Sequence, residues 1–513
     1  MAFAITQTCC SDATCVSVCP VNCIHPTPDD PDFGKTEMLY VDPQTCIDCG
    51  ACADACPVDA IFPVDELPAA QASYAGLNAS YYADKPLAPV VAGPTFHAWG
   101  PPSFHRSLPA DFAPLRVAVV GTGPAGMYAA EDLLLNTNAQ VTFVDRLPLA
   151  GGLIRYGVAP DHLSTKKIGE TFERLYRHPR ARLRLGAEVG HGELAASYDA
   201  VIYAVGATDD RRLGIPGEDL PGSVGAGAVV AWYNDHPEAV RIACDSERVV
   251  VVGTGNVALD IARILLSDPA ALAATGMPSD VLASLGKVRE VVLLGRRGPA
   301  EAAYTGSEFL AMRSLPGVEV VVDSAGCAPD PGVGQTGLLA GMRANDPDVG
   351  QTGLLAGVRA NDSGGGKAGL LAGVKVEKVD WARPPGVGRR LVLRFGSVPS
   401  RVLGSAAVRG LALADGTEIP AGLVVRAIGF RGRPIPGLPF DETTGTVPHS
   451  AGRVDGVPFT YVVGWIKRGP SGGIGTNRPC ARETVSTLLA DTLATRRPHQ
   501  PTPPSPIRKS RPL

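Results

Sequence analysis

The sequence predicts an α/β protein: two Rossmann-like, three-layer nucleotide-binding domains preceded by a small α+β domain built around cysteine. Three observations predict it. Leu115–Gly126 and Arg248–Ala258 each run from an apolar strand through a glycine turn into a helix, the pattern that brings a pyrophosphate to a helix N-terminus. Nine of the 12 cysteines fall before residue 57, in metal-ligand spacing. The chain has 513 residues, more than one core supports, since cores stop growing at about 250–300 residues. A net charge of −4 argues against a nucleic-acid or anionic-membrane partner. No run of 18 apolar residues offers a membrane span, and MAFAITQTCC lacks the basic and apolar regions of a secretory signal. Cysteine kept as thiolate predicts a cytoplasmic protein.

In chain order, the regular cysteine run is Cys46-x-x-Cys49-x-x-Cys52-x-x-x-Cys56-Pro57. Soft thiolates at this spacing wrap three irons of a cubane from one turn, and the cysteine before proline points to a second cluster. The earlier run, aligned on Cys19-Pro20, reads Cys9-x-x-Asp12-x-x-Cys15-x-x-x-Cys19. Crossed ligation then assigns Cys46, Cys49, Cys52 and Cys19 to one [4Fe-4S] cluster, and Cys9, Cys15 and Cys56 to the other. The fourth position of that second site is Asp12, a hard ligand poorly matched to this iron. The expectation is either a [3Fe-4S] cluster or a labile, aspartate-ligated [4Fe-4S]. Cys10 is an alternative to Cys9 by a one-residue shift, and Cys23 reads as a buried thiol beside a cluster. Residues 1–66 resemble the two-cluster bacterial ferredoxins, which implies a ferredoxin domain of that extent.

Residues 67–113 show neither helical nor strand period and read as a Pro-rich linker, draped over a surface or free. The FAD-binding domain is expected at 114–211 and again at 421–495. Its strand Val117–Val120 leads into Gly121-Thr-Gly123-Pro124-Ala125-Gly126, with a helix beginning near Met127. Asp145, 24 residues beyond Gly121, is placed to accept a ribose hydroxyl. The glycine-rich segment 147–162 and the AVGA turn ending at Ala207 complete a flavoprotein pattern, so the first dinucleotide is read as FAD.

The NADP-binding domain is expected at 212–420. Gly253-Thr-Gly255-Asn256-Val257-Ala258 forms its glycine turn, and the strand ending at Gly295 is followed by Arg296-Arg297. Guanidinium forks suit a 2′-phosphate, so NADP(H) is preferred to NAD(H). The long gap before Arg296 is filled by an Ala-rich helical insertion, Ser267–Leu285. A 16-residue unit, Asp330–Asn345, recurs as Asp346–Asn361 and decays towards Val376. This insertion at 330–376 is read as a duplicated surface loop without chemistry. Thr417–Gly429 reads as a return to the flavin domain. A strand then leads through Trp465 to the turn Gly472-Gly473-Ile474 and a last helix, Ala481–Leu493; backbone N–H groups of that turn are suited to the flavin or its pyrophosphate. Residues 496–513 read as a disordered tail.

Residues 115–495 resemble the adrenodoxin-reductase type of ferredoxin–NADP⁺ reductase. The resemblance rests on GTGPAG, GLIRYGVAPDH, AVGATDDRRLGIPGED, GTGNVALDIARILL, GRRGPAEAAYT and GWIKRGPSGGIGTN, and the whole chain resembles the bacterial form with a fused ferredoxin. It implies FAD contacts at Ala125, Asp145, Leu153, Val189, Trp465 and Gly472–Ile474. It implies NADP(H) contacts at Arg211, Asn256, Val257, Arg296, Arg297 and Glu308. His162 and Glu308 are implied near the flavin and nicotinamide, tuning hydride transfer and ring orientation. The expected activity is electron movement between NADPH, FAD and two iron–sulfur clusters, then to an external ferredoxin or ferredoxin-dependent enzyme; neither the direction of flow nor an oligomeric state follows. The competing readings are an electron-input subunit like the small subunit of glutamate synthase, and a redox-sensing module. No CxxC pair lies in 115–495, which disfavours disulfide reduction.

Overall fold

The computed structural model describes residues 2–83, 108, 112–326 and 367–495. The expected tail at 496–513, most of the repeats and much of the linker lie outside the described residues. Two seven-stranded sheets form the framework. The first runs His449–Ser450, Arg453–Val454, Thr460–Val462, Ala200–Tyr203, Arg116–Val120, Gln140–Val144, Ala181–Arg184. Its last five strands are parallel, with Val117 against Val141 and Ala200.

Side-chain alternation splits that sheet between two cores, as a sheet covered on both faces requires. Val117, Val119, Phe143 and Ile202 enter one core with the helices Pro124–Asn136 and Asn477–Thr495. Ala118, Val144, Val201 and Tyr203 enter the other.

The second sheet is parallel throughout: Ser223–Gly225, Leu423–Arg426, Arg248–Val252, Glu290–Leu294, Arg389–Arg394, Val318–Asp323, Lys375–Glu377. Val249 and Val251 face the helix Asn256–Leu266. Val250 and Val252 face a three-stranded antiparallel sheet, Pro399–Gly404, Val408–Leu413 and Glu418–Pro420. The insertion after Leu266 is helical as expected, at Pro269–Leu272 and Ser279–Leu285.

Four expectations are corrected. Leu423–Arg426, assigned to the flavin domain from residue 421, pairs in parallel with Val249–Val252 of the second sheet. The chain crosses back just after it, where Phe430–Arg431 pairs antiparallel with Asp209–Asp210 on the outgoing crossing. The first flavin-side helix starts at Pro124 rather than near Met127, because proline is suited to a first helical turn, where its missing N–H is not needed. The linker begins with structure: Ser73–Tyr81 is a helix that buries Tyr74 and Asn78. Asn78 accepts from the backbone of Ile5 and Val41 and donates to Ile5 O, which ties the helix to the N-terminal domain. The decayed end of the repeats is also anchored, since Leu371 and Val374 are buried and Lys375–Glu377 is an edge strand.

The N-terminal domain has internal two-fold character. Thr14–Val18 and Ala51–Ala55 are short helices, each entered through a left-handed residue, Ala13 and Gly50, and each ended by a cysteine, Cys19 and Cys56. Two antiparallel ribbons, Phe3–Ile5 with Ile61–Pro63 and Ile24–His25 with Tyr40–Val41, complete it. Its apolar core continues without a break into the core beneath the first sheet.

Candidate functional site

The two glycine turns are built alike. Gly121 has φ of 106° and Gly253 of 126°, and a Cβ at either would overlap a carbonyl of the neighbouring strand end, Ala204 or Ala427. That closeness needs glycine. A Cβ at Gly255 would meet nothing within 4 Å, and one at Gly123 would meet only Gly152 Cα at 4.0 Å. The middle glycine of each turn therefore faces open space above a helix N-terminus, a cradle that fits a pyrophosphate. Gly126 packs against Val119 and Ala204.

At the first glycine turn, Gly152 closes on Gly123, and Leu153 beside it leaves 47% of its surface exposed, an apolar face that a flat ring system can cover. Asp145 is buried, but its Oδ2 already accepts from Thr122 N at 2.9 Å and Thr122 Oγ1 at 2.5 Å, and Oδ1 from Leu147 N at 2.9 Å. It thus braces the glycine turn, leaving its remaining lone pairs for a ribose. Val189 lies partly buried against the second core of that sheet. Trp465 Nε1 donates to Ser471 O and Gly472 O, at 3.1 and 3.3 Å, and so fastens the last glycine turn. Asn477 Nδ2 holds the same turn through Gly473 O and Ile474 O, beside Ala125 and Gly464.

On the second side, a cleft of about 1050 Å³ is lined by Arg211, Gly253, Arg296, Arg297, Arg431 and Arg433 among others. Arg296 is exposed and forms no ion pair among the described residues; Arg297 only approaches Glu301, at 3.8 Å. Arg431 and Arg433 are committed to Glu442 and Asp209. Two guanidinium groups remain for a phosphate. Arg211 is held at the crossing by Gly429 O and Phe430 O. Asn256 Oδ1 accepts from Thr305 N at 2.8 Å, linking the glycine turn to the helix Gly306–Arg313 that carries Glu308. Val257 lies in the first turn of Asn256–Leu266.

His162 and Glu308 converge, and the sequence missed what joins them. Gln7 Nε2 lies 2.9 Å from Glu308 Oε2 and 3.2 Å from His162 Nε2. Beneath them Arg263 contacts Asp161 at 2.7 and 3.0 Å, Asp260 at 2.7 Å and Glu308 at 3.2 Å. One cation faces three carboxylates. Burial, with the charge of Asp260, pushes the Glu308 carboxyl up to about 8. Burial and Arg263 push the His162 imidazole down.

The cysteine domain sits where the two nucleotide sides meet. Glu37 Oε2 accepts from Gly306 N at 2.8 Å at the start of the glutamate helix, and Tyr74 donates to Ser307 O at 2.9 Å. Thr165 Oγ1 donates to Thr8 O, and Lys167 pairs with Asp59. Gly475 N donates to Cys10 O at 2.9 Å, and Ser11 lies so close to Gly475 that a Cβ there would overlap its carbonyl. The loop Cys9–Asp12 therefore rests directly on the glycine turn Gly472–Ile474.

The two cysteine-rich runs keep one spacing: Cys9, Asp12, Cys15 and Cys19 stand a constant 37 positions before Cys46, Cys49, Cys52 and Cys56. Ser11 and Asp48 share positive φ, 54° and 59°. Asp12 is buried and bonded by the Thr14 hydroxyl, whereas Ile47–Cys49 is exposed. None of the described cysteines is in a disulfide. No helix among the described residues is long and apolar enough to cross a membrane.

The fold and site define a pyridine-nucleotide flavoprotein reductase with an iron–sulfur domain attached. Residues 115–297 match the pyridine nucleotide-disulphide oxidoreductase family, and residues 39–62 match the 4Fe-4S binding domain. A probable ferredoxin/ferredoxin–NADP reductase of Mycobacterium tuberculosis is 44% identical over 96% of this chain and 84% of its own length. Human mitochondrial NADPH:adrenodoxin oxidoreductase is 36% identical over 78% and 84%. The structure of M. tuberculosis FprA in complex with NADPH matches with a TM-score of 0.63 and 39% identity, over 75% of this chain and 86% of that one. The chain belongs to the ferredoxin/ferredoxin–NADP reductase family.

Proposed function

We propose that this chain is a flavin-dependent ferredoxin–NADP⁺ reductase that moves electrons between NADPH, FAD and two iron–sulfur clusters, and exchanges them with an external ferredoxin or ferredoxin-dependent enzyme. The observation that carries this is the seating of Cys9–Asp12 on the Gly472–Gly475 turn while Gln7 reaches the His162–Glu308 pair. When bound, FAD exchanges a hydride with NADPH and single electrons with the clusters, chemistry that belongs to the cofactors.

The residues supply binding, orientation and exclusion of water. Gly121, Gly123, Pro124, Ala125 and Gly126, with Asp145, Leu153, Val189, Trp465 and Gly472–Ile474, bind FAD. Arg211, Gly253, Gly255, Asn256, Val257, Arg296 and Arg297 bind NADP(H). His162 and Glu308 orient the nicotinamide; their convergence on Gln7 supports this. One domain extends over residues 1–66, the flavin domain over 114–211 and from about 427 to 495, and the NADP domain lies between. The 37-residue register supports Cys9 rather than Cys10 as a ligand, and Asp12 in place of a fourth thiolate. One cluster is then [4Fe-4S] on Cys46, Cys49, Cys52 and Cys19. The other, on Cys9, Cys15, Cys56 and Asp12, is [3Fe-4S] or a labile [4Fe-4S]. The exposed turn Ile47–Cys49 supports exchange with an outside carrier at the first of these. Cysteines kept out of disulfides among the described residues fit a cytoplasmic setting.

Anaerobic titration with NADPH, following flavin absorbance and cluster EPR together, tests the proposal. Flavin bleaching followed by changed cluster signals is expected. Bleaching with both clusters silent would mean that the N-terminal domain does not take electrons from the flavin.

A further inference from the structure

The loop that leads from the strand Phe3–Ile5 to Cys9 carries one polar side chain out of its own domain, Gln7. It ends at the half-buried pair His162–Glu308, which belongs to two other parts of the fold. We propose that Gln7 is a positioning residue for the nicotinamide site: the docked iron–sulfur domain completes that site by setting the orientation of Glu308 and His162 through one carboxamide. The proposal rests on the reading of those two residues as nicotinamide-orienting.

The chemistry of the contacts fixes their direction. A carboxamide NH₂ has two hydrogens and no acceptor, so Gln7 donates to Glu308 Oε2 at 2.9 Å and to His162 Nε2 at 3.2 Å. Against the ionised form of Glu308 the flipped amide would set oxygen against oxygen. Donation to Nε2 requires an imidazole unprotonated there, which burial and Arg263 favour. The same NH₂ stabilises the ionised form of Glu308, opposing the burial that raises it.

The charged and titratable groups facing the pair come from every side. Asp161 and Lys166 lie on the segment of His162, Asp260 and Arg263 on the helix Asn256–Leu266, and Tyr74 and Glu37 at the start of the glutamate helix. Among them Gln7 is the side chain that bridges His162 and Glu308 directly. The interface around it holds it in place, since Thr8 O, next in sequence, accepts from Thr165.

The test uses the full-length holoprotein. Gln7→Met keeps the length and removes both amide hydrogens; Gln7→Asn keeps the amide but falls short by one carbon. Lys167→Ala removes an exposed contact of the same interface, to Asp59, and leaves Gln7 in place. Four properties are read: flavin reduction by NADPH in stopped flow across pH, the NADP⁺ dissociation constant from flavin absorbance, thermal unfolding across pH, and cluster EPR.

Expected is a roughly tenfold slower flavin reduction for both Gln7 variants, with unchanged EPR. The pH profiles of reduction and of unfolding should both shift upward, because Glu308 loses a donor to its anion. Lys167→Ala should stay within about two-fold of the parent. In a His162→Ala/Glu308→Ala background, which removes both partners, adding Gln7→Met should change little, as direct coupling to that pair requires. Rates and pH profiles within two-fold of the parent in both Gln7 variants would overturn the proposal, and so would an equal loss in Lys167→Ala, which would mean general undocking. If His162→Gln and Glu308→Gln themselves leave reduction and NADP⁺ binding unchanged, the underlying reading of the pair fails first.

Discussion

Arg263 is nearly fully buried with Asp161, Asp260 and Glu308 around it, and one guanidinium cannot neutralise three carboxylates. The surplus proton falls to Glu308, whose carboxyl is raised from 4.5 to about 8. A group raised on folding contributes stability that is complete below its unfolded value and lost as pH rises through the folded one. The folded protein should therefore lose stability between pH 4.5 and about 8 on account of this residue. Glu308→Gln cannot lose a proton, so its stability relative to the parent should improve steadily across that interval, by up to roughly 1.4 kcal/mol per pH unit. Denaturant melts at several pH values check this; a constant difference would mean that Glu308 titrates normally. The cleft at the second glycine turn offers a second test. Arg296 stands exposed in the cleft without an ion pair among the described residues, and a charge-assisted bond to a phosphate is worth roughly 1.5–3 kcal/mol. Arg296→Ala should weaken NADP⁺ at least roughly tenfold and leave NAD⁺ nearly unchanged, measured by titration of each. At this scale legibility was uneven. Asp12 was visible because it breaks a repeated cysteine spacing. Asp145 was visible as a position, though its bonds to Thr122 and Leu147 were not. Gln7 and Arg263 had no local signal, since domain packing alone makes a loop glutamine or a helical arginine matter.

Among the elements, those with a strong period or a glycine turn were readable, and those set by a neighbour were not. The apolar run Leu423–Arg426 is equally suited to either parallel sheet, and its register with Val249–Val252 decides the matter. The helix Ser73–Tyr81 lacks an apolar stripe; it is held by Tyr74, which reaches Ser307, and by Asn78, which reaches Ile5 and Val41. The last glycine turn was legible as a turn but not as a seat for the cysteine loop. Gly475 supplies the element-scale test, because an added methyl would overlap the Ser11 backbone. Gly475→Ala should cost roughly 1–3 kcal/mol and loosen the loop from the turn. Hydrogen exchange should then accelerate in the segment 5–12, with the parallel sheets unaffected. Unchanged protection there would show that the loop adjusts without leaving its seat.

For the molecule as a whole, the docking of the iron–sulfur domain decides how electrons are exchanged. A tethered domain that swings would behave as a local carrier, with encounters governed by effective concentration and by salt. The contacts point the other way. The N-terminal core merges with the core under the first sheet. The interface is fastened largely by backbone and neutral groups: Gly475 to Cys10, Thr165 to Thr8, Tyr74 to Ser307. Its exposed ion pair, Lys167–Asp59, contributes little of its own. Reduction of the clusters after flavin reduction should thus be a first-order process, unchanged over a roughly hundredfold range of protein concentration. It should also vary less than about two-fold on raising salt to about 1 M, where screening acts within about 3 Å. Rapid-freeze EPR after mixing with NADPH measures both dependences. A rate that climbs with concentration would mean that clusters are reduced between molecules, and a steep fall with salt would mean that the domain detaches and returns through charge attraction. A flat response to both would fix the N-terminal domain as a permanent part of the reductase, with the Cys9–Asp12 loop facing the flavin turn and Ile47–Cys49 facing the solvent.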